Sequence, residues 1–305
     1  MNASWFRRTA QAVACAGALS VLAACGSSTV VSDLNPQRFI TLGDGFMDVG
    51  QAGARYTVND GSNNWVQDFA ARYKQTVTPA SAGGFGYAQG HARVAAADTS
   101  SGTSAPSVTA QIDALLARTQ LHKTNDVIIM GGGIGDIVAA VEATGISAET
   151  TQTVKAAGKA LGEQIRRVVK AGGAHVLAVG VYNLGNTPWA AQLGQQKALT
   201  DLSVAFNDAV AVNIVDLGAN VLYVDPALLH NLMYNKPGNY QFSNGRDAVC
   251  TTPDARTCTP DTVVSGADYN SWMYADKVYF TPVASRHFGS DRYGESIYQR
   301  FKARW

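Results

Sequence analysis

Past its first residues the 305-residue chain has little charge, few cysteines and no long apolar run. Charged side chains make up only 15% of it, and 24 Lys and Arg are set against 23 Asp and Glu. A balance so close to zero carries no field for a polyanion, which excludes nucleic acid as a partner. No apolar run after the leader approaches the length a bilayer span needs. No internal repeat or low-complexity tract is present. No spacing of histidine, cysteine and carboxylate suits a metal, so no metal or cofactor is implied.

What is present begins with an address. Arg7 and Arg8 precede an apolar stretch from Ala10 to Leu22, too short for a mature membrane helix, and this reads as a signal peptide over residues 1–24. Its end, Leu22-Ala23-Ala24-Cys25 followed by Gly26, resembles a lipobox. Cys25 would then be the mature N-terminus and carry two or three acyl chains, enough for a stable anchor. The rival reading is an ordinary signal peptide cut nearby, with Cys25 a spare thiol. Glycine and not aspartate after the cysteine points to the outer membrane under the sorting habit of enteric bacteria. Loss of the leader removes two arginines and no acid, leaving 22 basic and 23 acidic residues and a formal charge near −1. The expectation is an exported, anchored protein: a tether over residues 25–37, then one domain over residues 38–305, monomeric by default.

Of the four cysteines, Cys15 departs with the leader and Cys25 is the lipidation candidate. Cys250 and Cys258 remain, in a Thr-, Pro- and Asp-rich stretch of an exported chain, and are expected to form a disulfide. Metal binding is the rival reading, but two thiolates are half a zinc site and no histidine lies near them.

Three compact apolar runs break into glycine. Arg38 to Leu42 enters Gly43-Asp44-Gly45, Asp126 to Met130 enters Gly131 to Gly133, and His175 to Val179 enters Gly180. Ser147 to Lys170 has helical spacing of Val154, Ala157, Leu161, Ile165 and Val168, stopped by Gly172-Gly173. A helix over about Gln195 to Leu217, a strand Asn220 to Val224, a short helix from Pro226 and a final helix near Val283 to Arg304 continue the alternation. The implied architecture is a three-layer α/β/α domain with a doubly wound, mostly parallel sheet. Ligands of such sheets bind beyond the carboxyl ends of the strands, where Asp44, Gly45, Gly133 to Asp136 and Asn183 fall. Asn235 to Gly266 reads as an excursion closed by the disulfide.

Four blocks, in order, make the chain resemble the GDSL (SGNH) lipases and esterases. Phe39 to Gly50 is similar to the family's strand followed by G-D-S-L-S-D-x-G, and Tyr56 to Ala70 continues the match through Trp65. Gly86 to Val94 is similar to N-Y-A-x-G-G-A-R. Gly133-Ile134-Gly135-Asp136 stands where the family has G-x-N-D, and Asp276 to Pro282 looks like D-x-x-H-x-T-P. The resemblance runs from about Arg38 to Phe301. It implies the flavodoxin-like fold of that family and an ester-hydrolysing site.

Each block departs from the pattern at a reactive position. The nucleophile's place holds Gly45. In the oxyanion loop Gly90 remains, but the second glycine is His91. The place of the oxyanion-binding asparagine is Gly135, and that of the general base is Tyr279, with the orienting acid kept as Asp276. Acyl transfer needs a hydroxyl, a base near neutral pKa and donors aimed at the oxyanion. Glycine cannot attack, and a tyrosine with a pKa of about 10 is a poor base at neutral pH. Gly45 can also hold a strained turn after Asp44 without steric cost. Asp44 and Asp136 read as structural groups satisfying loop amides.

The five histidines offer little repair. His175 reads as a strand-start residue, and His122 and His230 as residues at helix ends. His287 is placed on a helix pointing away from the site, which leaves His91 facing the crevice. Thr41, Ser62 and Thr281 are hydroxyls near it without a visible partner. Two readings follow. In the first, no catalytic set is intact, and the chain is a non-catalytic member that binds an acyl-ester or glycan-type ligand, with Asp276, Tyr279, His91, Trp65 and Arg93 lining or supporting the crevice. In the second, displaced residues sustain a carboxylesterase.

Overall fold

The computed structural model describes residues 34–98 and 100–305. The leader, Cys25 and most of the tether lie outside the described residues. Leu34–Trp305 forms one compact unit.

The four apolar runs are strands: β1 (Arg38–Leu42), β2 (Asp126–Met130), β3 (Val176–Val179) and β4 (Val221–Val224). They pair in parallel in the order β1-β2-β3-β4. β2 and β3 are buried at every residue, which unbroken apolar runs permit and alternating ones do not. Residues 85–89 add a short further rung on the free side of β1. There Thr41 N–H donates to the Phe85 carbonyl, and Tyr87 and Ala88 N–H donate to the Thr41 carbonyl. The chain therefore builds outward from β1 first to one side and then to the other. The crevice between the loops after β1 and β2 lies at this switch point.

Nine helices are described: α1 (Trp65–Ala71), α2 (Val108–Arg118), α3 (Ile134–Thr144), α4 (Ala148–Lys170), α5 (Pro188–Leu193), α6 (Gln196–Ile214), α7 (Ala227–Asn235), α8 (Pro282–Phe288) and α9 (Ile297–Lys302). Strand side chains alternate between faces, so Phe39 and Ile40 point to opposite layers. Phe39 meets Phe69 of α1, whose ring also packs on Phe301 of α9. Ile128, the register partner of Ile40, lies with Val168 of α4, and α4 packs along α6. These are the three layers. The start of α4 is a capping box, in which Ser147 accepts from Thr150 N–H and the Thr150 hydroxyl accepts from Ser147 N–H.

Three expectations change. The single final helix divides into α8 and α9, because Gly289 packs against the Trp65 carbonyl, 2.3 Å from where a Cβ would stand. His230 lies inside α7 and not at its end. It is fully buried with Nε2 2.6 Å from the Tyr274 hydroxyl, and burial pushes its pKa down to about 3. The excursion after Asn235 has structure of its own: β5 (Asn244–Ala248) pairs with β6 (Trp272–Tyr274). Cys250 and Cys258 are joined as a disulfide with Cα atoms 5.8 Å apart. A small second core of Val58, Val249, Cys258 and Ala275 surrounds that bridge.

Candidate functional site

The loop after β1 is held open by Gln111 of α2, whose side-chain amide donates to the Gly43 carbonyl and accepts from Gly43 N–H. Asp44 then turns inward. Its carboxylate accepts from Phe46 N–H at 3.2 Å and from Ile134 N–H, the first amide of α3, at 3.0 Å. Burial still pushes Asp44 up to about 7 against those two donors. Asp136 accepts from Val94 N–H and is pushed by burial up to about 6, with the Arg93 guanidinium 3.7 Å away. Both aspartates fasten loops to each other, as the sequence predicts.

Gly45 is a glycine for a different reason from the one expected. Its φ is not among the positive values of the described residues, so the turn does not demand it. Space does. A Cβ on Gly45 would stand 2.6 Å from Cε1, 2.8 Å from Cζ and 3.0 Å from the hydroxyl oxygen of Tyr279. The tyrosine in the base's block has its ring in the volume that a side chain at residue 45 would use. Tyr279 is 4% exposed, its ring centre is 5.2 Å from that of Tyr56, and the Tyr56 ring is 4.8 Å from His91. Burial, with Asp44 and Asp276 nearby, raises its pKa well above the usual phenol value. It stays neutral at neutral pH.

The neighbouring loop is tied down as well. Gly90 N–H donates to Asp48 at 2.9 Å, a carboxylate that also accepts from Gly50 and Gln51. His91 sits at φ 63°, the left-handed conformation a glycine would adopt without strain. At Gly135 a Cβ would meet the Ala92 carbonyl at 2.6 Å and the His91 carbonyl at 2.7 Å, so backbone occupies the space of an asparagine side chain. Asp276 accepts from Val278 and Tyr279 N–H at 2.7 and 2.6 Å and orients no imidazole. Burial pushes it up to about 6.

The remaining predicted residues support the site from behind. Trp65 is fully buried and its Nε1–H donates to the Phe46 carbonyl. His287 faces away, 3.0 Å from the Tyr240 carbonyl. Asn183 caps its own turn and bonds Asn231. A cavity of about 30 Å³, room for one water, is bordered by Gly45, Tyr56, Asn64 and Tyr279. Outside it lies an open groove of about 380 Å³, bordered among others by Tyr56, His91, Ser100, Asp276 and Lys277. Sequence reasoning missed Tyr56 as a wall of both spaces. It also missed Ser100, whose Oγ is 3.4 Å from His91 Nδ1. Nothing in their local pattern marks either one.

Fold and site together define a three-layer α/β/α protein with a crevice at the sheet's switch point and the Tyr279 ring packed over Gly45. No family model matches the chain, and no curated protein matches it. Among solved structures, a phospholipase A1 from Streptomyces albidoflavus is similar with a TM-score of 0.43 and 14% identity. The match covers 88% of this chain and 98% of that one.

Proposed function

We propose that this chain is an exported lipoprotein with the GDSL-type hydrolase fold that binds a ligand in its crevice and does not hydrolyse esters. One observation carries the reading: the Tyr279 ring lies where the side chain of a nucleophile at residue 45 would be. Loss of a serine or histidine from such a unit costs on the order of a millionfold in rate, and loss of one oxyanion donor about a hundred- to a thousandfold. Here all three are changed, and the Gly90 amide already donates to Asp48. The lipobox at Cys25 supports an anchor in the outer membrane, with a single copy acting alone.

A second reading rests on Ser100 and His91. Burial lowers the His91 pKa, which keeps the imidazole neutral, and the exposed Ser100 hydroxyl is its neighbour. That pair is the relocated nucleophile and base of a weak carboxylesterase in this alternative. Hydrolysis of p-nitrophenyl butyrate and labelling by a fluorophosphonate separate the two. The first reading expects background turnover and no label. A labelled peptide containing Ser100, with label lost in Ser100→Ala and His91→Ala, would replace it by the second.

A further inference from the structure

The groove outside Tyr279 is walled by separate parts of the chain: Tyr56, the loop through His91 and Ser100, α3, α5 and the disulfide-closed loop. What lines it limits what it can hold. No valine, leucine, isoleucine, methionine or phenylalanine borders it, and its aliphatic lining is limited to the small Ala248, Cys250, Pro253 and Ala255 of one wall, a short surface for an acyl chain to shed water on. An anion is disfavoured too. Glu142, Asp254 and Asp276 face it against one ammonium, Lys277, which already lies 3.8 Å from Glu142. The nearby Arg256 guanidinium is bound to Asp254.

Beside that small apolar wall stand hydroxyl, amide and carboxyl groups and the two rings of Tyr56 and His91. Tyr56 adds an independent sign. Its hydroxyl is buried beside Ser101, forms no hydrogen bond, and belongs to a residue that borders the groove. A buried hydroxyl without a partner is costly, and a ligand hydroxyl reaching the floor would satisfy it.

We infer that this groove is a binding site for a neutral oligosaccharide, whose hydroxyls bond Gln192, Ser100 and the Tyr56 hydroxyl. The inference rests on the reading that the crevice binds and does not hydrolyse. Isothermal titration of the full-length protein with cellohexaose, chitohexaose and maltohexaose tests it, with dodecanoate and inorganic phosphate as rival probes. At least one hexasaccharide is expected to bind. Gln192→Ala and Tyr56→Phe should each weaken that binding about three- to tenfold, the ratio given by one lost neutral hydrogen bond.

Absence of binding by all three saccharides overturns the inference, as does saccharide binding that neither substitution changes. Dodecanoate binding that both substitutions weaken overturns it in favour of an acyl ligand. The same samples are exposed to the fluorophosphonate. Label or ester turnover there contradicts the non-hydrolytic reading itself, whatever the saccharides do.

Discussion

The Tyr279 hydroxyl lies 3.0 Å from the point where a side chain on Gly45 would begin. The two residues come from opposite ends of the domain, one on the loop after β1 and the other between β6 and α8. Each explains the other. A glycine leaves the volume open, and the Tyr279 ring fills it.

Adding an asparagine side chain at residue 135 should be costly. A side chain at residue 135 meets two backbone carbonyls, those of His91 and Ala92, and a backbone cannot rotate away as a side chain can. Gly135→Asn is expected to destabilise the fold by about 3 kcal/mol, the upper part of the range for overpacking. Urea denaturation measures it. A midpoint unchanged from the native protein would show that the His91–Ala92 loop yields freely.

The buried carboxyls set a pH dependence. Asp44 is raised to about 7 and Asp136 and Asp276 to about 6, from 3.8. Each of these three carboxyls binds more protons folded than unfolded above about pH 4, and its own contribution to stability falls as pH rises towards its folded value. Asp98, lowered to about 2, acts oppositely below pH 4, and His230, lowered from 6.5 to about 3, acts oppositely between about pH 3 and 6.5. The carboxyl contribution is therefore read at a single position. In Asp276→Asn one side-chain oxygen keeps both backbone hydrogen bonds. That variant should gain on the order of 1–2 kcal/mol at pH 8 and little at pH 4. Equal effects at the two pH values would contradict the assignment.

The disulfide closes a short loop, with eight residues of sequence separation, yet Cys258 is wholly buried in the second core. Asn59 ties that loop to the Tyr56 segment: its backbone N–H donates to the Cys258 carbonyl at 2.9 Å, and its side-chain amide nitrogen lies 3.2 Å from the Ala255 and Arg256 carbonyls. Reduction, or Cys250→Ser with Cys258→Ser, is expected to cost about 2–3 kcal/mol. It should also raise hydrogen exchange over residues 55–60 before the parallel sheet is affected. Exchange confined to residues 250–258 would show that the two loops are uncoupled.

Much of this was legible in the sequence. Apolar runs ending in glycine mark β1, β2 and β3 because strands buried on both faces need unbroken apolar character. The losses at residues 45, 135 and 279 are visible as letters against the family blocks. Their packing is not, since the fit of Tyr279 over Gly45 depends on a ring crossing between distant loops. The rung at residues 85–89 escaped because it is short and interrupted by Gly86. The break between α8 and α9 does have a local signal, the turn formers Gly289-Ser290-Asp291 and Gly294. Gly45 shows the difference between a correct residue and a correct reason: backbone freedom was expected, and steric room is what the fold uses it for.

The most direct test of the Gly45–Tyr279 relationship is a double-mutant cycle read by chemical denaturation, with Gly45→Ser, Tyr279→His and the pair. Gly45→Ser alone should cost about 1–3 kcal/mol by overpacking, and in the Tyr279→His background most of that cost should vanish. A Gly45→Ser protein as stable as the native one, or equal costs in both backgrounds, would mean that the Tyr279 ring does not occupy the place of the nucleophile.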